Sequence, residues 1–454
     1  MRVPEGGSSS VPAGALDGLT IMRYAHIYRD RVSGGVEQYL RRLNHGLLEK
    51  HRLTLLQMYL EREAREGSDN TADVENVGLG SIVWVPVSVR HFNSRLTGLP
   101  ERTRYVLSRM VKLHRREGGG EYGAIFSSLW SLLQQNGSHL RYSTTVLSDN
   151  LPPLLARRRV DLLVLHWMSY DAGILISRAL ETRVPFVYVN HFDNARLSLP
   201  LVRKWIAGAR AVGTVSDQGI PLDLQNRCVN LSDAVDTDFF TLERAQPMVF
   251  PERPIILLVG RIHPDKGHRD LMEAARILAF KKMDFSVCLA GAVDSKELHE
   301  ELRASAAAMG LGSRIRFLGE RSVEEIRDWY AQSTVVALPS HSEGLGRVLL
   351  EAQAMKKPVV AYDSGGICEA VVPNKTGFLV KAGDVNALAE RIGFLLDNEA
   401  ARSRMGEHGR EFVMSNFSVS ALIQRHEMFY LNALAGVGPG TYASGPAKLA
   451  AMSS

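Results

Sequence analysis

The sequence contains very little cysteine. Its 454 residues include only Cys228, Cys288 and Cys368, which are widely separated. Their spacing matches neither a zinc site nor a disulfide framework. A chain without such cross-links is typical of a reducing compartment, so the sequence predicts a cytoplasmic protein.

Long hydrophobic runs and a secretory signal are also lacking. The best candidate for a membrane span, residues 160–176, is interrupted by His166 and Asp171, whereas a spanning helix needs about 18 or more consecutive apolar residues. Residues 1–16 are rich in glycine, serine and proline without a long apolar core, and we expect them to be disordered. The overall composition, with 45% hydrophobic and 23% charged residues, excludes a chain that is disordered throughout.

The net charge of +5 is small but unevenly distributed. Residues 1–250 contain 30 Lys and Arg against 25 Asp and Glu, whereas residues 251–454 contain 24 of each. Residues 90–116 alone contain eight basic residues and one acidic residue, with apolar residues at helical spacing between 106 and 113. A basic amphipathic helix can lie on an anionic membrane surface, or it can be an ordinary surface helix of the first domain. The sequence leaves both alternatives open.

Short apolar runs alternate with helical patterns in the second half of the chain. The predicted strands are 254–260, 285–290, 316–319, 334–338 and 358–361, and the predicted helices are 266–282, 296–309, 323–332 and 346–355. Strands buried on both faces give continuous apolar runs, and their alternation with helices predicts a parallel sheet covered on both sides. We therefore expect a Rossmann-like α/β domain over residues 250–416.

The first half repeats this pattern less regularly. Its predicted strands are 19–22, 53–56, 160–165, 186–189 and 211–215, with a helix over 36–49. We expect a second Rossmann-like domain over residues 17–245, a closing helix over 417–436 that returns towards it, and a flexible tail over 437–454. Ligands of such sheets bind at the carboxyl ends of the strands, so two domains of this kind predict a cleft between them.

A basic glycine-containing loop follows the first strand of the second domain. It reads Gly260-Arg-Ile-His-Pro-Asp-Lys-Gly267, with Arg261 leaving the strand and Lys266 opening the next helix. A guanidinium, an ammonium and the amides of a helix start can together bind a diphosphate. Taken alone, this loop could equally be a solvated turn with surface charges.

A second loop carries two glutamates eight positions apart. Glu343, Gly344, Leu345 and Gly346 follow the strand 334–338, and Glu351 lies about two turns along the next helix. The glycines allow close backbone approach to a ligand, and the carboxylates can accept hydrogen bonds from sugar hydroxyls. The alternative is one glutamate in a helical first turn and one exposed glutamate on the helix.

A third glycine loop, with Gly365 and Gly366, follows the strand 358–361. All three loops are predicted at the same edge of one parallel sheet, where they gather cations, glycines and carboxylates. This clustering favours a binding site over three unrelated turns.

These motifs resemble the retaining GT-B glycosyltransferases of family 4, also described as glycosyl transferases group 1. The resemblance covers about residues 19–434 and is specific in the second half, where Glu343 and Glu351 match the E-x7-E motif of that family. It implies the GT-B fold, two Rossmann-like domains facing a central cleft. Arg261 and Lys266 would hold the nucleotide diphosphate, Glu343 the donor sugar and Glu351 the ribose, with Gly260, Gly344, Leu345 and Gly346 lining the donor site.

In the first half the resemblance rests on fewer residues. Gly34 and Gly35 look like the N-terminal glycine loop of the family, although a plain turn before a helix is an equal alternative. His191 matches the active-site histidine. Asp236 fits the family pattern, but Asp233 and Ala234 stand where Asn and Gly are usual. Asp236, Gly365 and Gly366 are further candidates for the donor site.

The resemblance implies a metal-independent, retaining, hexosyltransferase-like enzyme without a cofactor. It would move a sugar from a UDP- or GDP-linked donor to a glycan or lipid-linked acceptor, in cell-surface polysaccharide or glycoconjugate synthesis. Residues 90–116 are the candidate contact with an anionic membrane surface, which would make the protein peripheral at the inner face of the membrane. The alternatives are a sugar-nucleotide epimerase and a non-catalytic two-lobed binding protein. Nucleic acid is not expected as a partner, because the basic segment has few aromatic residues.

Overall fold

Two α/β domains make up the part of the chain that the structure describes. The computed structural model describes residues 11–12, 14–24, 35–61, 73–88, 159–166, 175–176, 179–191, 194–246 and 253–437. Within these ranges the strands form one sheet of eight and one sheet of six. The predicted fold, with two Rossmann-like domains, is confirmed.

The first domain is built on a mostly parallel sheet with the strand order β3-β4-β2-β1-β5-β6-β7-β8. Only β3 is antiparallel to its neighbour. The strands are β1 (Thr20–Tyr24), β2 (Thr54–Glu61), β3 (Asp73–Val77), β4 (Gly80–Ser88), β5 (Leu162–Leu165), β6 (Phe186–Asn190), β7 (Val212–Thr214) and β8 (Cys228–Asn230). The helices described here are α1 (Gly35–Lys50) and α2 (Pro200–Ile206).

Three of these strands were not predicted by the sequence pattern. β3 and β8 are the two edge strands, and β4 carries Pro86. Edge strands are short or polar because one side meets solvent or a covering loop, so they lack the continuous apolar run that marks a central parallel strand. The central strands β1, β2, β5 and β6 have that run, and the pattern predicted them.

The second domain has a fully parallel sheet with the order β11-β10-β9-β12-β13-β14. Its strands are β9 (Ile255–Val259), β10 (Ser286–Ala290), β11 (Ile315–Gly319), β12 (Val335–Leu338), β13 (Val359–Asp363) and β14 (Gly377–Lys381). Its helices are α3 (His268–Phe280), α4 (Lys296–Ala308), α5 (Val323–Gln332), α6 (Arg347–Ala354), α7 (Ile367–Ala370), α8 (Val385–Asp397) and α9 (Glu399–Phe417). Among the described residues, every helix is too short or too polar to cross a lipid bilayer.

The last helix, α10 (Val419–Ala435), returns to the first domain as predicted. Ser418 separates it from α9 and caps it, since its Oγ accepts a hydrogen bond from the backbone N–H of Ala421. The apolar face of α10 is part of the same hydrophobic core as α1. Beside this core, the buried Glu427 carboxylate lies 2.7 Å from Lys50 Nζ and 2.8 Å from His51 Nε2.

A buried polar layer continues this contact into the domain. The guanidinium of Arg23, on β1, donates hydrogen bonds to Asn44 and to the hydroxyl of Tyr430, the latter at 3.1 Å. The hydroxyl of Tyr39 lies 2.7 Å from Nε2 of His426. All five residues are buried. Buried polar groups need hydrogen-bond partners. These hydrogen bonds therefore join α10 to the first domain in one geometry, in addition to the apolar contacts.

Buried histidines predict that the fold is sensitive to acid. Burial lowers the pKa of His268 to about 4 and holds the pKa values of His166 and His426 well below 6.5. The unfolded chain therefore binds protons more readily, and stability falls as the pH drops below about 6.5. At pH 5, His268 alone costs on the order of 2 kcal/mol of unfolding free energy.

Chemical denaturation at pH 7 and pH 5 tests this prediction. The variant His268→Leu should lose less stability between the two pH values than the natural protein. His45→Leu, which replaces an exposed histidine of α1, is the matched control and should leave the pH dependence unchanged. An equal loss of stability in all three proteins would contradict the prediction.

Candidate functional site

A cleft of about 490 Å³ lies where the carboxyl ends of the two sheets face each other. Loops after β6, β7 and β8 and helix α1 contribute one wall, and loops after β9 and β12 contribute the other. The lining residues are Tyr39, His191, Val215, Asp233, Val259, Gly260, Arg261, Lys266, Glu343, Gly344, Leu345, Gly346, Arg347 and Val348. Eight residues that the sequence predicted for the site are therefore brought together in one cleft.

The loop after β9 places two cations on the second-domain wall. Arg261 is largely exposed, and its Nη1 lies 2.6 Å from a carboxylate oxygen of Asp294. The expected helix start at Lys266 was wrong by two residues, because Pro264–Lys266 form a 3-10 turn and α3 begins at His268. Between them, Gly267 has a left-handed φ of 68°, and a Cβ there would lie 1.7 Å from the carbonyl oxygen of Pro339. Only glycine allows this turn.

Lys266 and Glu343 form the central ion pair of the cleft. The Nζ of Lys266 lies 2.5 Å from Oε1 of Glu343, and both side chains are mostly buried. The pair joins the loop after β9 to the loop after β12, which are 77 residues apart in sequence. A fixed cation and a strong hydrogen-bond acceptor thus stand side by side at the sheet edge.

The glycine loop before α6 presents backbone groups to the cleft. Gly346 is the N-cap of the helix in a left-handed conformation with φ 73°, and as a glycine it makes no side-chain capping hydrogen bond. Gly344 faces open space, since a Cβ at this position would have no neighbour within 4 Å. Leu345, between them, is buried. The start of α6 is therefore a region of positive potential that a ligand can approach.

Glu351 is buried in α6 and is not the exposed helical glutamate that the alternative interpretation required. Its Oε2 accepts a hydrogen bond from the Tyr330 hydroxyl at 3.1 Å, and its Oε1 lies 3.3 Å from Nε of Arg347. Burial raises the pKa of this carboxyl above its usual value. Arg347 lines the cleft, and Glu351 lies behind it with 10% of its side chain exposed.

Gly365 and Gly366 support the cleft loop from behind. A Cβ at Gly365, whose φ is 54°, would lie 2.1 Å from the carbonyl oxygen of Glu343, and one at Gly366 would lie 1.9 Å from that of Gly344. Neither glycine lines the cleft. Their contacts fix the position of Glu343 and Gly344, which is an indirect contribution to the site.

Glu369, one turn further along, joins the second domain to the first. Its Oε1 accepts hydrogen bonds from the hydroxyl of Ser216 at 2.6 Å and the backbone N–H of Asp217 at 2.7 Å. Its Oε2 accepts one from Nδ2 of Asn230 at 2.9 Å. Burial raises the pKa of this carboxyl. Sequence reasoning did not single out Glu369, because its three partners lie in the other domain.

His191 lines the first-domain wall as a neutral imidazole. Its Nε2 lies 2.9 Å from Nδ1 of His166, and the ring of Tyr39 meets it edge-on at 4.7 Å between centroids. Burial lowers the pKa of His191 to about 3. At neutral pH it can therefore orient a ligand through hydrogen bonds, but it carries no positive charge.

The remaining predicted residues lie outside the cleft or outside the described ranges. The Oδ1 of Asp236 accepts hydrogen bonds from the backbone N–H groups of Asp238 and Phe239, so its carboxylate caps a turn. Gly35 is the first residue of α1. Gly34 and the basic segment 90–116 lie outside the described residues.

Three cleft residues were missed by sequence reasoning as ligand-facing groups: Tyr39, Asp233 and Arg347. Tyr39 belongs to the buried face of α1, and Arg347 is one of the seven unspecified positions between Glu343 and Glu351. Asp233 follows Ser232, whose φ of 58° is left-handed. A departure from the family pattern at that loop was the only signal that the sequence offered.

Metal-ligating side chains and the three cysteines are the other groups with potential reactivity among the described residues. Within the described residues, no group of three or more His, Cys, Asp or Glu is arranged to hold a metal ion. Burial raises the pKa of Cys228 to about 12 and those of Cys288 and Cys368 to about 11. At neutral pH these three thiols are therefore protonated and weakly nucleophilic.

The glycine contacts generate a paired prediction. Gly366→Ala should reduce the unfolding free energy by about 1–3 kcal/mol, because its Cβ overlaps the Gly344 carbonyl and lies near the Ser216 hydroxyl. Gly344→Ala should leave stability within about 0.5 kcal/mol of the natural protein. Urea denaturation of both variants measures the difference, and equal stabilities would contradict the described loop packing.

Comparison with known sequences finds similarity in the second domain. Residues 240–412 match the family model described as glycosyl transferases group 1. A capsular polysaccharide biosynthesis glycosyltransferase, CapM of Staphylococcus aureus, is 29% identical over 189 residues, which are 42% of this chain and 49% of CapM. A D-inositol 3-phosphate glycosyltransferase of Corynebacterium efficiens is 36% identical over 165 residues, 35% of this chain and 39% of that protein. The matched region thus spans less than half of each relative.

Comparison with solved structures covers both domains. A glycosyltransferase from Rickettsia africae superposes with a TM-score of 0.61 at 20% identity, covering 92% of this chain and 98% of that one. HepE of Anabaena, solved with UDP and glucose, gives a TM-score of 0.59 at 16% identity, covering 91% and 100%. At such low identities the likeness establishes the fold. The chain therefore has the two-domain GT-B fold, and its residues 240–412 are similar to the glycosyl transferases group 1 family.

Proposed function

We propose that the protein is a retaining glycosyltransferase that takes a sugar from a UDP- or GDP-linked donor. The observation that carries this proposal is the Lys266–Glu343 pair, which joins the two family motifs at the centre of the cleft. The acceptor would be a glycan or a lipid-linked glycan of the cell surface. The names of relatives support this class, since CapM is a capsular polysaccharide enzyme and LpcC of Rhizobium leguminosarum, 33% identical over 171 residues, is a lipopolysaccharide core mannosyltransferase.

The diphosphate of the donor would bind against Lys266, Arg261 and the start of α6. Before binding, these cations are paired with Glu343 and Asp294. A diphosphate carries more negative charge than either carboxylate, so it can draw Lys266 away from Glu343. The Glu343 carboxylate is then free to accept hydrogen bonds from hydroxyls of the donor sugar, and exchange of ion-pair partners couples phosphate binding to sugar binding.

In the reaction itself, the bond between the anomeric carbon and the diphosphate oxygen breaks. A new bond forms between that carbon and an acceptor hydroxyl oxygen, whose proton passes to the departing diphosphate. Negative charge grows on the diphosphate as the bond breaks, and Lys266 and Arg261 would stabilise this charge. These protein groups provide the positive charge that a metal ion would otherwise supply, so we propose that the reaction is metal-independent and needs no cofactor.

His191 would orient the sugar or the acceptor near the reacting carbon. It lines the cleft, and its Nε2 is occupied by His166. A pKa of about 3 makes it a poor proton acceptor at neutral pH. The family resemblance implies that the acceptor attacks from the same face that the diphosphate leaves. This mechanism requires no nucleophile from the protein, and we assign none.

The protein would act in the cytoplasm, where nucleotide sugars are made, and peripherally at the membrane if the acceptor is lipid-linked. Residues 90–116 supply the proposed membrane contact, with eight basic residues and one acidic residue. Each basic residue near an anionic surface contributes about 1 kcal/mol of attraction.

A donor screen with the variant Lys266→Met tests the proposed activity. UDP, GDP and their common sugar conjugates are ranked by thermal shift, and transfer or hydrolysis is then measured with the best donor. We expect activity in the presence of chelator. Because Lys266 faces the developing charge, Lys266→Met should lower kcat about 10²- to 10³-fold.

The matched control is Lys356→Met, which removes a lysine from an exposed Lys–Glu pair with Glu407. It should retain full activity, since exposed pairs contribute little. Loss of activity with chelator would contradict the metal-free mechanism. Product analysis separates transfer from epimerisation of the donor, and nucleotide binding without turnover would favour a binding protein.

Vesicle co-sedimentation tests the membrane proposal. We expect that replacing Arg109, Lys112, Arg115 and Arg116 by Gln releases the protein from vesicles that contain anionic lipid. The effect of the substitutions should be smaller at high salt, because salt screening already weakens binding of the natural protein. Neutral vesicles are the control. Binding that is unchanged by the substitutions would contradict the membrane proposal.

A further inference from the structure

Arg347 is the one cleft-lining residue that contacts both domains through its guanidinium in the part of the chain that the structure describes. It is the first residue of α6. Its Nη2 donates a hydrogen bond to Oε1 of Gln38, on α1 of the first domain, at 2.8 Å. Its Nε lies 3.3 Å from Oε1 of Glu351, one turn along its own helix, and its Nη1 lies 3.9 Å from Asp233.

Glu351 depends on Arg347 for its charge balance. The carboxylate is buried, and its other hydrogen bond comes from the neutral hydroxyl of Tyr330. A buried carboxylate without a paired cation is strongly unfavourable, so Arg347 is the main group that keeps this side chain in place. The planar fork of the guanidinium also fixes direction, because it contacts Gln38 and Glu351 through different nitrogens.

We propose that Arg347 is a positioning residue that holds the Glu351 carboxylate for the ribose hydroxyls of the donor and anchors it to the first domain through Gln38. This inference rests on the proposed function, since it takes a nucleoside diphosphate as the ligand. It adds that recognition of the ribose by the second domain depends on a residue of the first. The guanidinium of Arg347 would then affect both the affinity for the nucleotide and the distance between the two walls of the cleft.

The charges around Glu351 determine how its role depends on pH. The groups that face it are Arg347 on its own helix, Tyr330 on α5, Arg42 on α1 and Asp233 after β8. Burial raises the pKa of Glu351, and Arg347 and Arg42 oppose this rise. Removing Arg347 should therefore raise the pKa further. Protonated Glu351 is a weaker acceptor, so nucleotide affinity in the variant should fall at a higher pH than in the natural protein.

The experiment compares a ribonucleotide with its deoxy analogue. Binding of UDP or GDP, whichever the natural protein prefers, and of the matching 2′-deoxynucleoside diphosphate is measured by calorimetry between about pH 5 and about pH 8. The natural protein should prefer the ribonucleotide, and Glu351→Ala should abolish this preference. We expect Arg347→Gln to reduce it about tenfold and to shift its pH dependence upwards. Gln38→Ala should reduce it by a smaller factor, although Gln38 belongs to the first domain.

Three controls make these outcomes decisive. Arg321→Gln breaks an exposed pair with Glu325 at the same spacing of four residues, and it should bind as the natural protein does. Arg347→Lys keeps the charge but not the fork, and should restore the pH dependence more than the ribose preference. Inorganic pyrophosphate reports the phosphate site alone, and its undiminished binding shows that a variant still folds with an intact cleft.

The possible failures are distinguishable. A natural protein that binds no nucleoside diphosphate overturns the proposed function itself. A ribose preference that disappears in Glu351→Ala but persists, with the same pH dependence, in Arg347→Gln overturns only the role of Arg347. Weakening of pyrophosphate binding in Arg347→Gln to the same extent as nucleotide binding would show that Arg347 is a direct phosphate ligand, which contradicts a positioning role.

Discussion

The hydrogen bonds of one buried carboxylate fix how the two domains meet. Glu369 belongs to the second domain, yet all three of its donors come from the ends of β7 and β8 in the first. An ionised carboxylate at such a depth is tolerated only when its oxygens are satisfied, so the joint has little freedom to slide. Gly366 stands between this joint and the Glu343–Gly344 loop, with no room for a side chain. The position of the cleft loop is thereby tied to the domain interface.

The cleft balances its own charges in the same way. Lys266 faces Glu343, Arg261 faces Asp294, and Arg347 faces Glu351 and Asp233. Each cation in this set has a carboxylate partner, so there is no large repulsion between the charges of the cleft. An anionic ligand then acts by exchanging partners instead of filling a purely positive pocket. Such an arrangement favours ligands that bring both negative charge and hydroxyl groups.

Sequence reasoning was most successful where the signal is local. Buried parallel strands such as β9 and β12 are continuous apolar runs, and the glycine and charged residues that follow them mark the cleft loops. It failed where the determining partner is distant. Gln38 and Arg347 are 309 residues apart, and Glu369 meets partners from another domain. The start of α3 was misplaced because Lys266 and Gly267 look helical in pattern, while the left-handed φ of Gly267 is imposed by the approach of Pro339. Contacts between residues this far apart in sequence become visible only in the folded structure.

The return of α10 to the first domain has a consequence for the order in which the chain can fold during synthesis. Leu422, Phe429, Tyr430 and Ala433 complete a buried core that otherwise consists of residues of the first domain. While the second domain is being made, the face of α1 that receives α10 is exposed to water with its buried polar partners missing. The first domain therefore reaches its final packing only after α10 has emerged from the ribosome, and any factor that shields nascent chains has this apolar face to bind in the interval.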